Sequence, residues 1–189
     1  VEIGFGDGEA TWRMAEATPQ NNFLAIEVHP PGVGRLLRRL KSREIGNVRV
    51  YCGDAVEFLE QSLPDHCVDE VRLYFPDPWP KKRHHKRRLV QPSFVSMVTS
   101  RLKPGGSFAL ATDWAGYAEH MLEVLEAEPA LENVAGPGAS MPRPSMRPRT
   151  KFERRGERLG NAVVDLEFRR VAAYTICPQT GCPQTGEPR

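Results

Sequence analysis

The sequence predicts an α/β fold: a mostly parallel β-sheet with helices on both faces, finished by an antiparallel C-terminal strand. Three observations carry that prediction. Short apolar runs alternate with segments of helical period through the first 127 residues. A glycine-rich turn joins the first apolar run to the first helix. After residue 128 the alternation stops and a one-sided strand pattern replaces it. Strands alternating with helices pair in parallel, because each crossover helix returns the chain to the same end of the sheet.

Taken in order, residues 1–3 form a short apolar strand that runs straight into the glycine turn. Residues 22–28 read as the second strand (Phe23, Leu24, Ile26, Val28), and residues 32–43 as a helix with Leu36, Leu37 and Leu40 on one side. Strand, helix and strand follow at 48–52, 55–63 and 68–75. Residues 92–102 are helical and are broken by Lys103-Pro104-Gly105-Gly106. Residues 107–112 are strand again, and 114–127 a helix with Tyr117, Met121 and Leu125 at period four. Pro137, Pro142, Pro144 and Pro148 make residues 134–149 a loop. Val164, Leu166 and Phe168 then alternate with Asp165, Glu167 and Arg169, a pattern suited to an antiparallel edge strand.

The 189 residues fit one domain, expected at 1–171. Residues 172–189, with a tandem Cys-Pro-Gln-Thr-Gly, read as a disordered tail. Val1 begins in mid-strand, so the natural protein is expected to continue upstream. No apolar run approaches the roughly 18 residues of a membrane span, and no leader pattern is present. Cys52 falls in a strand and Cys67 at the entry to the next, and Cys177 and Cys182 match no zinc spacing. A reduced, cytoplasmic protein without a bound metal is the simplest expectation.

Net charge is only +2, but it is unevenly spread. Residues 81–88 hold six basic side chains in eight, and residues 141–158 hold seven with only Glu153 and Glu157 as acids. Either run alone is an ordinary solvated face. Two of them on an otherwise acidic domain point to a polyanionic partner.

Glycines alternate in Gly4-Phe5-Gly6-Asp7-Gly8, which lets the backbone turn sharply and approach a ligand. The spacing is G-x-G-x-G, unlike the G-x-G-x-x-G of dinucleotide binders. A nucleoside cofactor without phosphates fits such a loop, and a plain tight turn is the alternative. Glu27 ends the second strand about 20 residues later, where a carboxylate can accept both ribose hydroxyls. Asp54 ends the third strand, placed to cap the next helix, to accept an adenine amine, or both. The fourth strand ends in Phe75-Pro76-Asp77-Pro78-Trp79-Pro80. The flanking prolines fix φ around Asp77 and remove backbone donors. Asp77 can accept from a guanine's N1–H and amine, and Trp79 can stack on a base. His84 and His85 are adjacent, which does not suit one metal geometry.

These motifs resemble the bacterial tRNA (guanine-N7-)-methyltransferases, S-adenosylmethionine-dependent enzymes of class I. The resemblance rests on Glu2-Ile3-Gly4-Phe5-Gly6-Asp7-Gly8, Ile26-Glu27-Val28-His29, Gly53-Asp54-Ala55, Phe75-Pro76-Asp77-Pro78-Trp79, Ala111-Thr112-Asp113-Trp114 and Thr150-Lys151-Phe152-Glu153-Arg154-Arg155-Gly156. It implies a Rossmann-like, seven-stranded sheet. It also implies that Glu2, Gly4, Gly6, Gly8, Glu27, Asp54 and Asp77 line an S-adenosylmethionine site, which ends the reaction holding S-adenosylhomocysteine. Asp77 would be the catalytic residue, and Lys81, Asp113, Thr150, Lys151, Phe152 and Glu153 would contact tRNA. The implied product is 7-methylguanosine at a variable-loop guanine, position 46. Asp113 also has a simpler role open to it, as N-cap of the following helix. The implied partner is tRNA, with no membrane, and the chain is expected to act as a monomer or homodimer. The Cys-Pro-Gln-Thr-Gly tail lies outside the family pattern.

Three rivals remain at this stage. A nicotinamide-dependent dehydrogenase is disfavoured by the glycine spacing, and a methyltransferase of proteins or small molecules by the two basic runs. A tRNA-binding protein without catalysis would have no need of the carboxylates at the strand ends.

Overall fold

The computed structural model describes residues 1–171, apart from the side chain of Phe152; the expectation of a disordered tail lies outside the described residues. Seven strands form one sheet in the order β3-β2-β1-β4-β5-β7-β6. They are β1 (Glu2–Ile3), β2 (Phe23–Glu27), β3 (Val48–Cys52), β4 (Val68–Tyr74), β5 (Leu102–Thr112), β6 (Leu131–Asn133) and β7 (Val164–Arg170). The first five pair in parallel, and β7 runs antiparallel to both β5 and β6. Strand order reverses between β1 and β4, the place where open α/β sheets bind ligands beyond their strand ends.

Helices α1 (Glu9–Ala17) and α2 (Pro30–Ser42) cover one face, over a core that contains Trp12, Ala25, Leu36 and Leu40. Helices α3 (Ala55–Ser62), α4 (Pro92–Arg101) and α5 (Ala115–Glu126) cover the other, over Leu59, Val95, Phe108 and Tyr117. Leu73 and Tyr74 are neighbours on β4 yet enter different cores, as the two-residue period of a strand requires. That alternation carries the influence of both faces to the turn that follows β4.

Three expectations need correction. β7 is not an edge strand: residues 131–133 form β6, which pairs along its outer side. Its Asp165 is buried rather than solvated, because Arg147 reaches it. The Lys103-Pro104-Gly105-Gly106 stretch ends α4 but stays in the sheet, accommodated by a register shift between Val68 and Glu70. Finally, Lys151–Arg158 is a helix, α6, where no element was expected. Its capping signal is Thr150 followed by Glu153, and the Thr150 hydroxyl accepts from the Glu153 N–H at 3.3 Å.

Candidate functional site: a cofactor cleft beside a basic surface

The three loop glycines all adopt left-handed backbone (φ 70°, 60° and 75°). At Gly8 and at nearby Gly32 the neighbours also exclude a side chain. A Cβ on Gly8 would lie 2.6 Å from Leu36 of α2, and a Cβ on Gly32, in the first turn of α2, would lie 2.2 Å from the Gly6 carbonyl oxygen. Gly32 is thus a loop-shaping residue that sequence reasoning missed, although the run Pro30-Pro31-Gly32 announced a tight helix start.

Glu27 closes the loop from the next strand. Its Oε2 accepts from the Gly6 N–H at 2.7 Å, and its Oε1 from the His29 N–H at 3.0 Å. Each carboxylate oxygen retains further acceptor capacity. Asp54 caps α3 by accepting from Val56 and Glu57 N–H at 2.7 and 3.1 Å, both through Oδ1. Gly4, Gly6, Glu27, Asp54 and Asp77 line one cleft of about 580 Å³. Val28, 64 % exposed at its mouth, offers the apolar surface an aromatic ring needs. A cleft of similar volume lies over Trp12 and the arginines of α2, away from these strand ends.

Glu2 sits beneath rather than in the main cleft. It is buried, accepts from the Thr11 hydroxyl at 2.7 Å, and lines a smaller pocket with Gly4, Phe5, Thr150 and Lys151. Burial pushes its carboxyl above the ordinary range, against the Thr11 bond and the Arg72 charge.

The Asp77 turn is strained at both ends. Phe75 has φ 54° and Trp79 φ 42°, left-handed values that cost a non-glycine residue roughly 1–2 kcal/mol each. Asp77 itself is exposed at the cleft wall. Beyond it a 3-10 helix (Lys82–Arg87) carries the first basic run, with Lys81 exposed at its start. Arg87 stacks 5.0 Å over Trp79. Arg88, expected on that surface, is 4 % exposed. It donates to the carbonyls of Pro78 and Gly116 at 3.0 and 3.2 Å and packs 4.8 Å over the Tyr117 ring.

Helix α6 leans on the glycine loop from the opposite side. Lys151 pairs with Asp7, and Arg154 with Glu9 at 3.0 Å. The anchor is Arg147, only 1 % exposed and gripped by two carboxylates. Its Nη atoms donate to Glu153 at 2.8 and 3.1 Å and to Asp165 at 2.9 Å. Its Nε lies 2.6 Å from the other Asp165 oxygen, an ion-pair contact without hydrogen-bond alignment. Burial works to raise the Glu153 carboxyl, but Arg147 and Arg143 outweigh it and hold Glu153 below the ordinary range. Among the described residues no cluster of His, Cys, Asp and Glu is arranged to hold a metal ion.

Comparison with known proteins decides the family. The protein-family profile described as "Putative methyltransferase" matches residues 1–166. A tRNA (guanine-N(7)-)-methyltransferase of Alcanivorax borkumensis is 55 % identical over 172 residues, 91 % of this chain and 72 % of that protein. One from Alkalilimnicola ehrlichii is 58 % identical over 170 residues, 90 % of this chain and 71 % of that protein. The chain belongs to the tRNA (guanine-N(7)-)-methyltransferase family. Solved structures agree on the fold. A precorrin-6y C5,15-methyltransferase of Geobacter metallireducens superimposes with TM-score 0.59 at 19 % identity, covering 89 % of this chain and 79 % of that one. The N-methyltransferase NodS of Bradyrhizobium japonicum, solved with S-adenosylhomocysteine, gives TM-score 0.57 at 16 % identity over 89 % and 76 %.

Within this methyltransferase family member, the expected residues divide into three groups. Gly4, Gly6, Glu27, Asp54 and Asp77 gather in the cleft, while Glu2 underlies it and Gly8 shapes the loop by capping α1 against Leu36. Lys81 is exposed at the start of the 3-10 helix that follows the Asp77 turn and does not line the cleft, while Thr150 and Lys151 line the smaller pocket beside the glycine loop. Asp113 is not the N-cap of α5. That position is Trp114, whose N–H donates to Thr112 Oγ1 at 3.3 Å. Asp113 instead faces α6, accepting from Asn161 at 3.4 Å and leaving no room for a Cβ on Gly156. Glu153 points inward to Arg147, and the side chain of Phe152 lies outside the described residues. No helix among the described residues is long and apolar enough to cross a membrane.

Proposed function

We propose that the chain transfers the methyl group of S-adenosylmethionine to N7 of a guanine in tRNA, at position 46 of the variable loop, in the cytoplasm. The observation that supports this most is the set of three carboxylates, Glu27, Asp54 and Asp77, gathered in the cleft at the strand ends around the β1–β4 crevice of a member of this family, with Glu2 buried beneath them.

The residues present fit the cofactor. Left-handed glycines leave open space at Gly4, the Glu27 carboxylate is oriented by two backbone N–H groups, and Asp54 Oδ2 remains outside the helix cap. Glu27 would hold the ribose hydroxyls, Asp54 the adenine amine, and Val28 would cover the ring. Bound S-adenosylmethionine supplies an electrophilic methyl on a sulfonium. Guanine N7 presents an in-plane lone pair, so the protein needs no residue to remove a proton before attack. The work left to the chain is orientation. Asp77 would accept from guanine N1–H and the amine, holding N7 in line and opposing the positive charge the ring acquires. Lys81 and the exposed members of the 3-10 helix would meet phosphates, as would the outer face of α6.

Incubation of the protein with methyl-labelled S-adenosylmethionine and unmodified tRNA, followed by nucleoside mapping, tests the proposal. Label in 7-methylguanosine at position 46 is the expected result. Binding of both molecules without label in the RNA would favour a non-catalytic tRNA-binding protein instead.

A further inference from the structure

Two buried arginines meet the turn at residues 75–79 from opposite faces of the sheet. Arg88 lies on the α5 side, over Tyr117, and ties down the Pro78 carbonyl at 3.0 Å. Arg147 lies on the α1 side, 5.8 Å from the Tyr74 ring and 5.6 Å from that of Phe75, locked in place by Glu153 and Asp165. Between them the turn has few bonds of its own. Pro76, Pro78 and Pro80 lack N–H donors, and the Phe75 N–H is taken by Ala111 O at 2.7 Å. Left-handed backbone at a Phe and a Trp persists only where the surroundings over-determine it.

We propose that Arg88 and Arg147 are positioning residues for methyl transfer, clamping the strained turn so that Asp77 stands fixed at the cleft wall. The inference rests on the reading of Asp77 as the guanine-facing carboxylate. It separates Arg88 from the rest of its basic run: Lys82, Arg83, Lys86 and Arg87 are exposed, and Arg88 faces inward to two carbonyls. A planar guanidinium makes both bonds and stacks on Tyr117 at once. A lysine keeps the charge but cannot reproduce that geometry.

The test uses the full chain with Arg88→Lys and Arg147→Lys. Steady-state methylation, the salt dependence of tRNA binding and thermal melting are measured on each. Arg88→Lys should lower kcat at least tenfold, with KM for tRNA within about twofold and an unchanged log–log salt slope. Arg147→Lys should lower kcat similarly at temperatures well below its melting point. In chains labelled with fluorotryptophan, the Trp79 fluorine resonance, assigned through Trp79→Phe, should shift or broaden in both variants. A folded Arg88→Lys enzyme with wild-type kcat and an unmoved Trp79 resonance overturns the proposal. So does a salt slope reduced by about one unit at constant kcat, the signature of a phosphate contact. If Arg147→Lys does not fold, Arg88→Lys decides alone. If wild-type protein methylates no tRNA, the proposed function fails, whereas the fluorine resonance still reports on the clamp.

Discussion

The cofactor half and the C-terminal half of this molecule are held together by different means. From β1 to α3 the functional groups are set by backbone: three left-handed glycines, two N–H groups on Glu27, a helix cap on Asp54. From residue 141 to β7 they are set by side-chain charge, with one buried arginine joining an irregular loop, α6 and a strand. Backbone devices are local and tolerate change in the side chains around them. A buried ion-pair cluster concentrates the stability of a whole segment in a few atoms, and losing one partner strands the others without water.

That contrast can be broken at its strongest point. Glu153→Ala leaves Arg147 with one carboxylate and should destabilise the fold by about 3–5 kcal/mol, read from the denaturant midpoint. A loss below about 1 kcal/mol would mean that the cluster is hydrated and the comparison false. Asp77→Asn turns one acceptor into a donor facing another donor. It should cost at least about a hundredfold in kcat while tRNA affinity stays near wild type; a near-normal rate would remove Asp77 from the reaction. Glu27→Ala should weaken S-adenosylmethionine binding by about tenfold or more, since hydrogen bonds to a charged group contribute about 1.5–3 kcal/mol each. Calorimetry showing unchanged affinity would detach Glu27 from the ribose. Neutralising Lys82, Arg83 and Arg87 should reduce the salt slope of tRNA binding by roughly one unit per lost contact, and an unchanged slope would leave these side chains as a solvated face.

The smallest effect sharpens the comparison through pH. Glu153 is held below its unfolded pKa, so its contribution is present at neutral pH and is lost as pH falls through the folded value. Glu2 is raised, so folding favours its protonated form; its contribution is full at low pH and fades as pH rises through the folded value. Glu2→Gln should therefore raise the melting temperature at pH 7 and lose that advantage below about pH 4, near the ordinary glutamate pKa. Melting curves that keep the same offset at both pH values would contradict the sign.

The same contrast explains what the sequence disclosed. β2 to β5 and their helices were legible because each carries its own period and its own turn residues, as at Asp54, whereas the two-residue β1 was legible through the glycine turn that follows it. Residues lining the cleft were legible because a strand end is a fixed distance from the next. The short β6 was hidden because Leu131, Glu132 and Asn133 are too few to show a period. Helix α6 was hidden because its sequence Lys-Phe-Glu-Arg-Arg-Gly-Glu-Arg is almost wholly charged, with Gly156 inside it; contact with Asp113, Asp7 and Glu9 holds it in place. Arg88 and Arg147 each lie in a basic run, and nothing in a run of like residues tells which member turns inward. For Arg147 the sequence held no signal, because Asp165 alternates with Val164 and Leu166 as the solvent face of a one-sided strand would, and its burial comes from the loop that covers it.

The sheet order has a consequence for synthesis. β7 pairs along the whole of Ser107 to Thr112, so β5 leaves the ribosome with that edge bare. At about 5–20 residues per second, β7 follows only after roughly 3–12 s. Until then the first five strands present an open, apolar border through Phe108 and Leu110, the kind of template on which other chains assemble. Arg147 likewise has no Asp165 to pair with until β7 is made. The nascent protein therefore passes through a stage in which its cofactor half can already be shaped while its aggregation-prone edge awaits the last strand, and slowing translation across residues 113–163 should lengthen its dependence on chaperones.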